Sequence, residues 1–423
     1  VSPKELKVDG LSIQTATSNV NLDLHYTYND WIDYKSFVDD VRMDYDLRKS
    51  RVDLEDVAFF APALTGLKEK VDITGKVYGT VASLNARDLE ISYGNSTQLK
   101  GNLDMDGLPD IKETFIFLDL KRLTTNYQDI KAIQQSTQVN GKNVKIPRNL
   151  ANLGLIDFKG AFTGFLSDFV AYGNFNTAIG SVRTDISIKQ NGGAKGNLAY
   201  SGALESYGFD IGKFLNEDKL GRVSLNVGLT GSGLTKESIN AKLNGEVSSA
   251  ELIGYEYSDI EVNGEFARSM FTGEVTVNDT NLSLIFRGGF DLSQELPEFN
   301  FYSDIRHANL YEMNLLRDRE DATVSGVVEV DFIGDDIDNL VGLIEITNAT
   351  YQQEDDPKFE VNRFSLDVTK GEEQKHLNLR SGIVDAEFDG TFKFREIKTA
   401  ANNLLRKHLP SYAGEYKAMK DTS

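Results

Sequence analysis

Cysteine is absent from the 423 residues, and histidine occurs only 4 times, tryptophan once and proline 7 times. Without cysteine the chain has no disulfide scaffold, no thiol nucleophile and no cysteine-ligated zinc or iron–sulfur centre. His25, His307, His376 and His408 lie in unrelated sequence settings, and no G-x-S-x-G elbow stands beside any of them. His25 falls in a Leu/Tyr strand pattern and His376 just before another, where both read as strand-face residues. No G-x-G-x-x-G or P-loop spacing opens a helix. Paired carboxylates cannot be singled out among 65 acids, and a sugar-binding cleft would lean on more than one tryptophan. The reading is therefore non-catalytic, with no cofactor and no metal.

Positive charge is also in short supply. Lys+Arg number 45 against 65 Asp+Glu, a net charge of −20. Nucleic-acid binding needs a basic footprint and is excluded as a role. Tight docking on an anionic membrane is disfavoured for the same reason. No apolar run approaches the ~18–20 residues of a membrane helix. The longest, Val57 to Leu64, is interrupted by Pro62. No leader peptide is recognisable, and the chain opens at Val1 rather than Met, as expected of an internal or C-terminal-proximal piece of something longer.

Alternation is what the sequence does contain. Ile156, Phe158, Phe162 and Leu166 share one phase of LIDFKGAFTGFL, and Val223, Leu225, Val227 and Leu229 share one phase of RVSLNVGLTG. Leu282, Leu284, Phe286 and Phe290 do the same in NLSLIFRGGFDL, as do Phe388, Phe392 and Phe394 in AEFDGTFKF. Successive side chains leave a strand on opposite faces, so each segment predicts a strand with one apolar and one wet side. Alternation and turn residues together predict about 25–30 strands. So many cannot stay in one flat sheet, because open twisted sheets rarely exceed ~10 strands without curling or splitting.

Glycine, at 36 residues, serves two purposes. Breaks such as Tyr93-Gly94-Asn95, Asn191-Gly192-Gly193 and Lys370-Gly371 supply turns. Gly75, Gly79, Gly101, Gly160, Gly164, Gly264, Gly273 and Gly390 instead fall inside strand patterns, where glycine marks bulges, bends or close backbone approach. A loose strand–turn–strand repeat begins near Val71, Ile156, Leu225 and Val328, with other blocks from Phe115, Leu198 and Phe299. Helical spacing is confined to Asp129–Gln138 and to the C-terminus, where Ile397, Ala401, Leu404, Leu405 and Leu409 recur at i, i+3/i+4 before Pro410. Tyr412, Tyr416 and Met419 suggest one further turn.

Asp104-Met105-Asp106-Gly107-Leu108-Pro109-Asp110 is the segment closest to a calcium loop. It lacks a third early ligand and a glutamate at the twelfth position, so it reads as a β-turn with an acidic rim. The acidic stretches at Gly334–Asp338 and Glu354–Pro357 read as turns too.

Four segments together resemble the TamB branch of the AsmA-like envelope proteins: VSLNVGLTGSGLTKESINAKLNGEV (Val223–Val247), LNLRSGIVDAEFDGTFKF (Leu377–Phe394), DGLPDIKETFIFLDLKRLTTNYQDIKAI (Asp106–Ile133) and LLRKHLP (Leu404–Pro410). The resemblance is one of texture and spans nearly the whole chain. It implies a bridge-like lipid-transfer protein in the periplasm of a Gram-negative envelope, whose open, curled β-sheet conducts phospholipid between inner and outer membranes. It also implies an inner-membrane anchor outside this segment and an Omp85-type outer-membrane barrel partner; neither an anchor helix nor a barrel-docking end is recognisable here.

The expectation is an all-β, elongated, curled antiparallel sheet with an apolar interior over residues 1–395, and an amphipathic helical tail over 396–423. Ile156, Phe158, Phe162, Leu166, Val223, Leu225, Val227, Leu229, Leu282, Leu284, Phe286, Phe290, Phe388, Phe392 and Phe394 would line a lipid groove. Ile397, Ala401, Leu404, Leu405 and Leu409 would cap it. The competing expectation is an adhesin-like β-sandwich or β-solenoid whose apolar stripe is a closed core.

Overall fold

A computed structural model describes residues 4–58, 69–136, 138–139, 142–143, 147–190, 198–233, 238–336, 338–354, 356–371, 374–391 and 393–408. The chain divides into two compact units, Val1–Ile260 and Glu261–Ser423. Strands dominate both, and 22 of them belong to one antiparallel sheet.

The first unit holds β1 (Glu5–Gln14), β2 (Asn19–Thr27), β3 (Arg42–Asp53), β4 (Lys70–Gly79), β5 (Ser83–Tyr93), β6 (Thr97–Asp106) and β7 (Phe115–Asn126). A small separate hairpin follows, β8 (Gln138–Val139) with β9 (Lys142–Asn143). Then come β10 (Leu155–Phe165), β11 (Asp168–Thr177), β12 (Gly180–Gln190), β13 (Leu198–Asp210), β14 (Leu220–Ser232) and β15 (Asn240–Leu252). β16 (Tyr255–Ala267) carries the boundary between the units. The second unit continues with β17 (Met270–Asn278), β18 (Leu282–Asp291), β19 (Glu298–Asn309), β20 (Thr323–Ile333), β21 (Val341–Gln352), β22 (Phe359–Lys370), β23 (Lys375–Ser381) and β24 (Ala386–Gly390). Short helices are α1 (Phe37–Asp40), α2 (Leu54–Ala58), α3 (Tyr127–Ser136) and α4 (Ile211–Leu215), and α5 (Phe394–His408) closes the described chain.

Pairing follows chain order, and β7 pairs with β10 across the small hairpin. This is a meander, the arrangement that short glycine and Asx turns favour. Among the described residues β1 pairs only with β2 and β24 only with β23, so the sheet keeps two free edges and does not close into a barrel. The four repeat starts each fall within the first strand of a hairpin, at the second residue of β4 and β10 and mid-strand in β14 and β20: β4–β5, β10–β11, β14–β15 and β20–β21. Register shifts fall at Gly75, Gly101 and Gly160, three of the mid-strand glycines expected to mark bulges. A bulge bends its strand and increases local twist.

One rim of the first unit is closed by a repeated device. β3, β7 and β13 stand four strands apart in the sheet, run in the same direction, and each ends in an Asx residue followed by a short helix. The side chains of Asp53, Asn126 and Asp210 accept from the N–H of Glu55 at 3.1 Å, Asp129 at 2.9 Å and Lys213 at 2.9 Å. Two of these helices then satisfy a neighbouring hairpin turn. Asp56 in α2 accepts hydroxyl hydrogens from Thr15, Thr17 and Ser18 of the β1–β2 turn, at 2.7, 3.0 and 2.5 Å. Asp129 in α3 accepts backbone N–H of Asn95, Ser96 and Thr97 of the β5–β6 turn, at 3.3, 2.9 and 2.9 Å. In the second unit Asn309 repeats the motif at the end of β19, accepting from Glu312 N–H at 3.1 Å. Turn donors would otherwise lack partners, which is why small acidic side chains recur here.

Several expectations need correction. The described residues hold 24 strands, 22 of them in the one sheet, against the expected 25–30. Leu166 is in the β10–β11 turn and 53% exposed, because the strand ends at Phe165. Phe394 does not extend the last strand. β24 stops at Gly390 and Phe394 begins α5, so the helix starts two residues before 396. The helix expected over Asp129–Gln138 is α3, Tyr127–Ser136. His376 lies within β23 rather than before it. Phe392, Leu409 and the turn proposed at Tyr412–Met419 lie outside the described residues.

Candidate functional site

The strand registers place apolar residues in direct cross-strand opposition over many strands. In the first unit one row runs Val8, Leu24, Tyr45, Val77, Ala86, Leu103, Leu118, Phe162, Ala171, Ile186, Gly202, Leu229, Leu243, each opposite the next, from β1 to β15. Residues directly opposite share a face, so this is one unbroken apolar row. In the second unit Phe271, Phe290, Phe299, Phe332, Gly342, Val368, Leu377 and Phe388 form a comparable row from β17 to β24.

Most of the sequence-selected residues join these faces. Phe158 opposes Phe175, with ring centroids 4.4 Å apart, and Phe162 lies 4.6 Å from Phe169. Leu225 opposes Val247, Leu229 opposes Leu243, and Val223 opposes Ala250. Leu284 opposes Val277 and Ile305, Leu282 opposes Ala308, and Phe286 has the Phe301 ring at 5.1 Å. Ile156 and Val227 are buried, whereas Phe158, Phe162, Val223, Leu225, Leu229, Leu282, Leu284, Phe286 and Phe290 are half-buried. Phe388 is exposed at the last strand. Of the cap residues, Ile397, Ala401 and Leu404 lie within α5, and Leu405 is exposed there.

Partial exposure of so many large apolar side chains is informative. A packed interior would cover them completely. Full burial of a cluster occurs locally in the second unit, where Leu340, Leu366, Val368 and Leu377 pack together. Nearby, Ile305, Val324, Val328, Ile346, Ala349 and Val361 line an open apolar hollow of about 270 Å³ on β19–β22. The face is concave at that point.

The opposite face is charged and held by pairs between neighbouring strands. Arg51 grips Asp72 through Nε at 2.8 Å and Nη2 at 3.0 Å, Arg122 reaches Asp157 at 2.8 Å, Lys189 reaches Asp168 at 2.8 Å, and Arg287 reaches Glu274 at 3.2 Å. Arg87 pairs with Asp104, so that aspartate is engaged in a strand-to-strand ion pair. Asp110 caps its own turn by accepting Lys112 N–H at 3.0 Å. Surface pairs of this kind contribute little individually, but they set register and keep the face wet.

Among the described residues, one group brings three His or carboxylate ligand atoms within reach of each other: His376, Glu387 and Asp389 on β23–β24. His376 Nδ1 bonds Asp389 at 2.6 Å, while Nε2 lies 4.0 Å from Glu387. The two carboxylates therefore address different ring nitrogens. The hydrogen bond to Asp389 raises the His376 pKa above its ordinary value. The sequence did not bring these residues together, because only the β23–β24 register opposes His376 to Asp389.

An aromatic group was also missed. Tyr26, Tyr28, Trp31, Tyr34, Phe37 and Tyr45 cluster where β2 and β3 meet, with successive ring separations of 5.0–6.4 Å. Tyr26 and Tyr45 share a hydroxyl hydrogen bond of 2.7 Å on the apolar face, and burial followed by that bond pushes the Tyr45 phenol up. The crowding of aromatic residues between Tyr26 and Tyr45 was the available signal. No protein-family model, no curated protein and no solved structure matches the chain.

Proposed function

We propose that this chain is a non-enzymatic phospholipid conduit segment, with acyl chains sliding along the apolar face of the sheet. The observation that carries the reading is the cross-strand row from Val8 to Leu243, continuous in register yet mostly half-buried. Each methylene withdrawn from water contributes roughly 0.8 kcal/mol, so an acyl chain gains by lying on such a face. A row of similar Leu, Val, Ile and Phe side chains offers near-equivalent positions along the sheet, which keeps barriers to sliding low. Headgroups would remain in water at the margin of the face. The resemblance to TamB-type envelope proteins suggests the setting: a periplasmic bridge between inner and outer membranes, anchored outside this segment and delivering to an Omp85-type barrel.

The competing reading, a closed-core structural or adhesin-like protein, draws support from the buried Leu366–Val368–Leu377 cluster. Native mass spectrometry of the purified chain separates the two. Bound phospholipid, recovered at defined mass increments and exchanging with added vesicles, is the expected outcome. Lipid-free protein that acquires none from vesicles would remove the conduit reading.

A further inference from the structure

The turn at Asp30–Asp40 is built to present rather than to bury. Trp31, the one tryptophan of the sequence, is 53% exposed, and its neighbour Ile32 is 62% exposed. Both sit on a rigid element. Asp30 accepts Ile32 N–H at 3.3 Å, and Asp33 accepts the N–H groups of Asn29 and Asp30 at 2.7 and 3.2 Å, a reciprocal capping box. From below, Trp31 stacks on Tyr34 at 5.7 Å and leans on Tyr28 at 5.1 Å. Phe37 and Tyr34 in turn contact Tyr26, which belongs to the apolar face. Apolar surface is thus continuous from the exposed tip to the first strands of that face.

We infer that Trp31 and Ile32 form a membrane-contact tip that inserts into the interfacial layer of a zwitterionic phospholipid surface. The inference rests on the conduit reading, for which it supplies a point of lipid exchange. An indole beside an aliphatic residue, ringed by polar groups, has the amphipathic character of interfacial anchors. The flanking charges select among surfaces. Asp30, Asp39 and Asp40 are exposed and Asp33 half-buried around the tip, with Lys35 the sole cation between Asn29 and Asp40. These carboxylates complement the outward ammonium groups of ethanolamine or choline lipids and are repelled by anionic headgroups.

Because the chain has a single tryptophan, its own fluorescence reports on the tip. Vesicles of phosphatidylcholine and phosphatidylethanolamine should shift Trp31 emission to the blue, and brominated acyl chains should quench it. Phosphatidylglycerol vesicles at low salt should give much weaker binding. Ile32→Glu should weaken partitioning by about tenfold or more, the effect of losing one buried aliphatic side chain. Ile383→Glu, at an exposed apolar residue of the second unit, should leave it unchanged. Emission that no vesicle alters, or quenching that Ile32→Glu leaves intact, would overturn the inference; the former result would leave a protein partner as the occupant. Bound phospholipid measured separately by native mass spectrometry distinguishes failure of the tip, with lipid still carried, from failure of the conduit, with no lipid carried.

Discussion

Asp129 is only 5% exposed and takes hydrogen bonds from three backbone N–H groups and the Thr97 hydroxyl. Burial alone would raise its pKa, but those bonds outweigh it and hold the carboxyl below the usual carboxylate range. With the folded value below the unfolded one, the contribution to stability is complete above about pH 4 and is lost as pH falls through the folded value. Asp129→Asn places two donors against turn N–H groups and should cost about 2 kcal/mol in urea unfolding at neutral pH. It should also flatten part of the acid limb of the stability profile. Glycine works at the same scale. A Cβ on Gly173 would run into the Phe158 ring, which folds over the paired Gly160 and Gly173. Gly173→Ala should therefore lower the melting temperature, and Phe158→Ala combined with it should recover part of the loss because the clashing ring is gone.

At the scale of strands, Phe286 distinguishes an open face from a closed core. It opposes Val275 and Ser303 and is half-buried. On an open face, Phe286→Glu should leave circular dichroism unchanged and sharply reduce bound phospholipid, since a carboxylate among acyl chains is costly. Phe162→Glu should act likewise in the first unit. Unfolding of both variants would instead indicate a closed core. The last hairpin carries a pH-sensitive contact. The pKa of His376 is raised by Asp389 first, with Glu387 and Asp367 adding to it. Its contribution is fully present below the unfolded histidine value near pH 6.5 and fades as pH rises through the higher folded value. Protection of β24 amides from hydrogen exchange, relative to the intrinsic rate at each pH, should fall across that window, and Asp389→Asn should remove the fall.

For the whole chain, the surplus of acidic residues gives a test that local substitutions cannot. A net charge of −20 repels anionic surfaces over the ~10 Å Debye length at 0.1 M salt. Transfer of labelled phospholipid should be faster from phosphatidylcholine donors than from phosphatidylglycerol donors, with the difference shrinking as salt is raised. Equal rates at low salt would mean that the charged face has no part in choosing the donor.

Much of this protein was legible in period 2. Alternation in segments such as Val223–Leu229 determined that the chain forms strands with one apolar face, because a strand must place neighbouring side chains on opposite sides. The turn glycines determined a meander, and helical spacing located α3 to within two residues at each end. The end of the sheet was not legible, since AEFDGTFKF alternates beyond Gly390 while the backbone leaves the strand there. Nor were the rim carboxylates, the His376–Asp389 contact or the Trp31 platform. Each depends on which turn or strand lies opposite, and register is set by bulges and long-range pairing rather than by local propensity. Periodicity could assign Leu229 and Phe162 to apolar faces, but only the tertiary structure decided that they lie in the same unbroken row, because each hydrogen-bonded register must agree with the next across five strands.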